Sequence, residues 1–275
     1  MIYDILLFLV IIAWSIQKIL DKKLIKKVSA ANFNDWVLIS QFLMLLPFFF
    51  LLEIPPIKIV LILFFLSILS FFSAKFFNIG IKNDEASRVT PFNQFSALFA
   101  VILAIIFLGE NINSINFIGV LIMVFGGYLI TAEKKPESLK YFIKHNKALL
   151  IVLAGAFISA ITTTINKTIL FSISAFSLLF FRRMFASVWA FYKVEKPQIK
   201  NWPLFLTSRV LSTIGLLTFL YVLSNQDVYL TVPILAVQPL LVLILGHKFL
   251  DEKKFFKQRL IAIILLIIGY ILLKL

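Results

Sequence analysis

Ten stretches of 14 to 24 predominantly apolar residues follow one another along this chain, at 3–20, 32–52, 57–80, 86–108, 115–131, 148–171, 174–192, 202–224, 229–250 and 260–273. A hydrocarbon core of about 30 Å is crossed by roughly 20 apolar residues of helix, whereas a membrane strand needs only about half that number. Inside the core every backbone N–H and C=O must be satisfied by the protein itself. The spacing therefore predicts an all-α integral membrane protein with ten transmembrane helices and little mass outside the bilayer. Composition agrees: 61% of residues are apolar and 15% are charged, too few for a soluble domain, in which about a quarter are charged. The run 3–20 is read as a retained helix rather than a signal peptide, because it has no basic leader and lysines follow it instead of a small-residue cleavage site.

The gap around 132–147 carries Glu133, Lys134, Lys135, Pro136, Glu137, Lys140, Lys144 and Lys147 and reads as a solvated linker halfway along the chain. Its position prompts a search for an internal repeat. Pro91 is followed 19 residues later by Glu110, and Pro233 is followed 19 residues later by Glu252. The shift of 142 that relates them also carries Leu108 onto Leu250, Gly127 onto Gly269 and Tyr128 onto Tyr270. A shift of 149 lays Ser15-Ile16-Gln17-Lys18 over Thr164-Ile165-Asn166-Lys167. Five spans per half is an odd number, so the second half enters the membrane from the opposite face. The expectation is two inverted five-helix repeats, at 1–132 and 148–275, joined by a basic linker at 133–147. Inverted repeats with interrupted helices are an architecture of secondary transporters.

The formal charge is +14, and its distribution predicts topology. Nineteen Lys and Arg fall in the loops after spans one, three, five, seven and nine, against Lys58 and Lys274 on the other side. Basic loops stay in the cytoplasm, so those five loops are expected inside and both termini outside. Anionic headgroups account for such loops, and no nucleic-acid partner is expected.

All 13 acidic residues fall in gaps or at span ends. Without a mid-membrane carboxylate the sequence disfavours a proton-coupled exporter of cations. There is no cysteine, and His145 and His247 lie outside the apolar runs, so no metal site, cofactor or catalytic cluster is expected and the chain does not read as an enzyme. Six cations do lie within spans: Lys18, Lys75, Lys167, Arg182, Arg183 and Arg209, with no internal carboxylate partner in view. The three lysines are near span ends, where a long stem reaches the headgroups. The arginines are about eight residues, or roughly 12 Å, inside their helices. One of Arg182 and Arg183, with Arg209 and Lys167, is expected to line a central cavity and meet an anionic group on the solute. Neighbouring residues point about 100° apart, so both arginines are not expected to face it equally. The structural alternative is that they cap carbonyls freed by proline.

Neutral polar residues at span depth complete the candidate lining. They are Trp14, Gln17, Gln41, Asn78, Asn93, Gln94, Thr163, Asn166, Tyr221 and Gln238, several of them beside Pro91, Pro233 and Pro239. The proposed substrate-binding set is Trp14, Gln17, Lys18, Asn78, Asn93, Gln94, Asn166, Lys167, Arg182, Arg209, Tyr221 and Gln238. Pro91, Glu110, Pro233 and Glu252 are read as structural. The two glutamates close a span and hold neighbouring backbone or a basic partner. Gly119, Gly126 and Gly127 are read as sites of close helix packing.

Trp14 with Lys18, Pro91 through Phe107-Leu108-Gly109-Glu110, Gly119 and Gly126-Gly127, and then Pro233 through Phe249-Leu250-Asp251-Glu252 with Gly269, resemble the ten-helix EamA-type members of the drug/metabolite transporter superfamily. Asp251 departs from the usual Gly, and Ile261 stands where the first half has Gly119. The resemblance implies a pathway surrounded by helices one, three, four, six, eight and nine, which leaves Gln41 out. It implies cytoplasmic termini, opposite to the charge rule, and the charge rule is preferred here. The resulting expectation is a multi-pass cell-membrane transporter. It moves a small organic metabolite, an amino acid, carboxylate or phosphorylated solute that is anionic or zwitterionic, by alternating access. A lipid-linked substrate flippase and a non-transporting scaffold are the alternatives.

Overall fold

The computed structural model describes residues 2–26, 28–93, 95–110, 113–131, 147–193, 195–251 and 256–274. Among these the regular structure is helical, with no strand. The helices of the first half are α1 (Ile2–Ile25), α2 (Ala30–Leu45, continued by a 3-10 turn Leu46–Leu51), α3 (Ile57–Asn83), α4 (Ala86–Asn93), α5 (Phe95–Leu108) and α6 (Ser114–Thr131). The second half has α7 (Lys147–Ile169), α8 (Ala175–Lys193), α9 (Trp202–Asn225), α10 (Val228–Thr231), a 3-10 segment Pro233–Val237, α11 (Gln238–Phe249) and α12 (Phe256–Lys274). Among the described residues, six helical stretches are both long and apolar enough to cross a membrane.

Burial is arranged for lipid rather than water. Arg209 is 1% exposed while Phe107 is 72% and Phe50 is 69% exposed, the reverse of a soluble protein, where charged residues are almost never fully buried. The chain is a multi-pass membrane protein, and its apolar exterior is the surface that meets acyl chains.

The packing exchanges the two halves. Helix α1 packs on α9 as α7 packs on α3, and α1 packs on α11 as α7 packs on α5, while α2 meets α8 and α6 meets α12. The last of these pairs is tight at Gly126. A Cβ there would come within 2.9 Å of the Ala262 carbonyl and 3.2 Å of the Leu266 nitrogen, so only a residue without a side chain permits this approach.

Two lysines make the equivalence of the halves concrete. Lys22 Nζ donates to the carbonyls of Ile81 (2.6 Å) and Asp84 (2.5 Å), which end α3. Lys167 Nζ donates to the carbonyls of Leu223 (3.0 Å) and Gln226 (2.8 Å), which end α9. The accepting carbonyls are related by the same shift of 142 as the Pro-to-Glu segments. Both ammonium groups satisfy carbonyls left without intrahelical partners at a helix C-terminus, the negative end of its dipole. Lys167 therefore corresponds to Lys22 and not to Lys18, and the overlay by 149 is corrected to 145. The error is four residues, about one helical turn, a slip that keeps residues on one face and so preserves the polar pattern. In the corrected register Asn166 corresponds to Asp21.

The turns closing α5 and α11 match as well. Gly109 has φ 69° and Asp251 has φ 57°, both left-handed, and they are related by 142. The departure seen in the sequence is thus a substitution within one conserved conformation: aspartate tolerates this region better than most residues with a side chain, though less well than glycine.

Candidate functional site

Polar side chains in a lipid-facing helix are costly unless they turn inward, and here they converge. A cavity of about 260 Å³ lies between the halves, lined from α1, α2, α3, α4, α5, α7, α8, α9 and the α10–α11 segment. Of the residues expected from the sequence, Trp14, Gln17, Lys18, Asn78, Asn93, Asn166, Arg182, Arg209 and Gln238 all lie on its wall, as do Gln41 and Thr163. Gln41 was excluded by the family pathway; it faces inward because α2 packs against both α8 and α9, and its amide donates to Ser212 Oγ at 2.9 Å.

Two expected residues, Lys167 and Tyr221, are not on the wall. Lys167 is spent on the α9 carbonyls described above. Tyr221 is 52% exposed, one position round the helix from the inward-facing Leu220, and its ring lies 6.5 Å from that of Tyr3. Gln94 lies outside the described residues.

The largest departure from the sequence reading concerns Arg209. Its guanidinium is paired with the Asp21 carboxylate, both nearly inaccessible at 1% and 7%. Asp21 also accepts from Ser208 Oγ at 2.5 Å and from the Gln17 amide, and Arg209 donates to Ser208 Oγ at 2.7 Å. The guanidinium carbon stands 5.7 Å and 5.3 Å from the rings of Phe33 and Phe205, where cation–π attraction replaces some of the lost hydration. Two expectations are corrected. One of the cations, Arg209, does have an internal carboxylate partner, and an acidic residue does lie inside the protein. The cause is that α1 continues five residues beyond its apolar run, to Ile25, and carries Asp21 inward.

Among the described residues the other cations on the wall form no direct ion pair, although the Asp21 carboxylate also attracts Lys18 through space. Arg182 donates to Ser70 Oγ on α3, and Lys18 Nζ lies 3.9 Å from the centre of the Phe77 ring. Arg183 also lines the cavity, so both adjacent arginines reach it, and the expectation that only one would do so is corrected: long flexible stems offset the 100° between them. The Nε–H groups of Arg182 and Arg183 are buried with no acceptor. Among the described residues the wall carries four cations and one carboxylate, a surplus of three positive charges. Nothing in this arrangement pairs a nucleophile with a base, and among the described residues no group of acids or histidines is disposed to hold a metal.

Glu110 has a different task. Its carboxylate accepts from the backbone N–H groups of Val228 (3.1 Å) and Tyr229 (3.2 Å), joining the end of α5 to the start of α10. Burial pushes this carboxyl above its ordinary pKa, against the pull of the two N–H donors. Replacing Glu110 by Ala strands both donors and is expected to cost about 1–3 kcal/mol. Glu110→Gln, which retains one acceptor, is expected to lose less, and thermal unfolding in detergent distinguishes the two. Glu252 lies outside the described residues; Pro91 lies within α4 and Pro233 opens the 3-10 segment before α11.

The sequence model of a family described as the EamA-like transporter family matches this chain over residues 1–132 and 146–275. A solved structure titled only "Crystal structure of protein" superposes with a TM-score of 0.69 at 15% identity, covering 98% of this chain and 95% of the other. At that identity the likeness is one of fold. No curated protein matches the sequence.

Proposed function

The chain belongs to the EamA-like transporter family, and from that premise we propose that it is a secondary transporter carrying a small anionic or zwitterionic organic solute through the central cavity by alternating access. The observation that carries this reading is the cavity wall: Lys18, Arg182, Arg183 and Arg209 against the single carboxylate Asp21. A charge buried in a membrane protein is retained where it meets water, a counter-ion or a substrate. Arg209 has its counter-ion, so Lys18, Arg182 and Arg183 are the groups left to meet the solute, with Asn78, Asn93 and Asn166 supplying neutral contacts. The volume of about 260 Å³ lies just below the usual range of roughly 300–1,000 Å³ for small-molecule sites and suits a compact metabolite.

In this reading the ten apolar runs are ten spans, residues 1–132 and 148–275 are inverted repeats, and the basic linker 133–147 is cytoplasmic. The protein resides in the cell membrane, with both termini on the outer side. A reporter fused to the C-terminus is expected to be active only outside the cytoplasm; cytoplasmic activity would reverse the topology.

The functional test is counterflow into liposomes holding the purified chain, screened across amino acids, carboxylates, phosphorylated solutes and cationic dyes. Saturable uptake of an anionic or zwitterionic solute is the expected result. Uptake confined to cations would overturn the charge argument, and no uptake by correctly inserted protein would overturn transport itself.

A further inference from the structure

Resting on the carrier reading above, we infer that the solute is an extended dianion whose two anionic groups stand roughly 5 Å apart, as in a four-carbon dicarboxylate or its hydroxy and amino derivatives. Two cations of the wall are held by residues of α3. Arg182 is tied to Ser70 Oγ, and Lys18 is seated on the Phe77 ring at 3.9 Å. Ser70 and Phe77 both lie on α3 and both line the cavity. They are seven residues apart, which is close to two full turns, so they share a face and are separated by about 10 Å along the helix axis. The contacts that hold the two cations are therefore about 10 Å apart along α3, and the separation of the two poles is taken from that spacing.

An anionic oxygen contacts each pole through a charge-assisted hydrogen bond of about 2.8 Å. Subtracting two such bonds from about 10 Å leaves roughly 5 Å to be spanned by the solute itself. The oxygens of a single carboxylate or a single phosphate lie much closer together than that and reach one pole only. A monoanion would also leave most of the positive surplus buried and uncompensated, which is costly. Two anionic groups joined by a short carbon chain meet both poles, and Arg183 beside Arg182 makes the arginine end the more strongly charged one.

The neutral wall is consistent with substituents on that chain. Asn166 Oδ1 and Gln41 Oε1 are buried acceptors with no donor, and both residues line the cavity. A hydroxyl or ammonium group on the solute would satisfy such an acceptor, so substituted diacids are expected to bind at least as well as the unsubstituted one.

The test uses the full chain in liposomes, with radiolabelled succinate as the extended dianion, butyrate as its one-carboxylate counterpart of equal length and glycerol 3-phosphate as a compact dianion. Saturable succinate counterflow, inhibited by aspartate and at least tenfold less sensitive to butyrate and glycerol 3-phosphate, is expected. Lys18→Gln is expected to weaken succinate about tenfold while leaving butyrate nearly unchanged, because it removes one charged contact. Thermal unfolding of the wild-type chain in detergent gives a second readout that needs neither transport nor a variant: succinate raises the midpoint and butyrate does not. Butyrate, glycerol 3-phosphate or a neutral zwitterion carried as well as succinate overturns the extended dianion and leaves the carrier standing. Correctly inserted protein that moves no solute of any class removes the carrier and this inference together.

Discussion

Arg209→Ala lowers the thermal midpoint of the purified chain in detergent by on the order of 10 °C, and adding Asp21→Ala to it restores most of the loss. This expectation follows from the ion pair at the centre of the structure. Asp21 is buried and receives hydrogen bonds from Gln17, Ser208 and Arg209. Truncating the arginine leaves a carboxylate away from water with two neutral donors, and breaking a buried pair from one side costs about 3–5 kcal/mol. Removing both charges deletes the penalty together with the attraction, so the double variant is far closer to wild type than the sum of its parts. If the single variants add, Asp21 and Arg209 are not partners in solution. The same logic changes the use of Arg209 as a transport probe: loss of uptake in Arg209→Ala would report a damaged fold as readily as a damaged site.

The opposite behaviour is expected of the neighbouring arginines. Replacing Arg182 and Arg183 together by Gln abolishes solute uptake, with at least a hundredfold loss for two charged contacts of about 1.5–3 kcal/mol each, yet leaves the thermal midpoint unchanged or higher. Both guanidinium groups are held inside the protein with Nε–H donors unpaired, and Arg182 has only a serine hydroxyl as its observed contact. Glutamine keeps much of the stem and a hydrogen-bonding head while discarding two uncompensated charges, so stability has little to lose. A binding site commonly carries such a tension between stability and activity. A large fall in midpoint without loss of uptake would make these arginines structural, as caps on backbone carbonyls.

Much of the fold is legible in the sequence for a simple reason. Lipid imposes helices on apolar runs of this length, and helix or 3-10 turn makes up most of the described part of each run. Many of the polar residues that interrupt those runs, Gln17, Lys18, Asn78 and Arg182 among them, lie on the cavity wall because lipid offers them no other partner. What could not be read is where helices outlast their apolar pattern. Asp21 and Lys22 follow the end of a hydrophobic run and look like a solvated loop, yet α1 carries one to Arg209 and the other to the end of α3. The signal was present only as an anomaly: three arginines in two spans demand a counter-ion, and Asp21 is the acid nearest in sequence to the polar stripe of α1. Helix phase accounts for the other differences. A one-turn slip hid the correspondence of Lys22 with Lys167, and a one-residue step round α9 takes Tyr221 to the outer surface.

The placing of Asp21 opposite Asn166 in the two halves bears on how any guest lies in the cavity. A wall built from two identical halves would present the same chemistry to a molecule and to that molecule turned end for end, so each guest would have two equivalent poses. Here the scaffold repeats, down to the lysines that close α3 and α9, but the charge does not: one half holds a carboxylate locked to an arginine, and the other holds an amide with an unclaimed oxygen. The degeneracy is lifted there, and again where Lys18 of one half stands against Thr163 of the other. A guest with unlike ends therefore has a preferred orientation in the cavity.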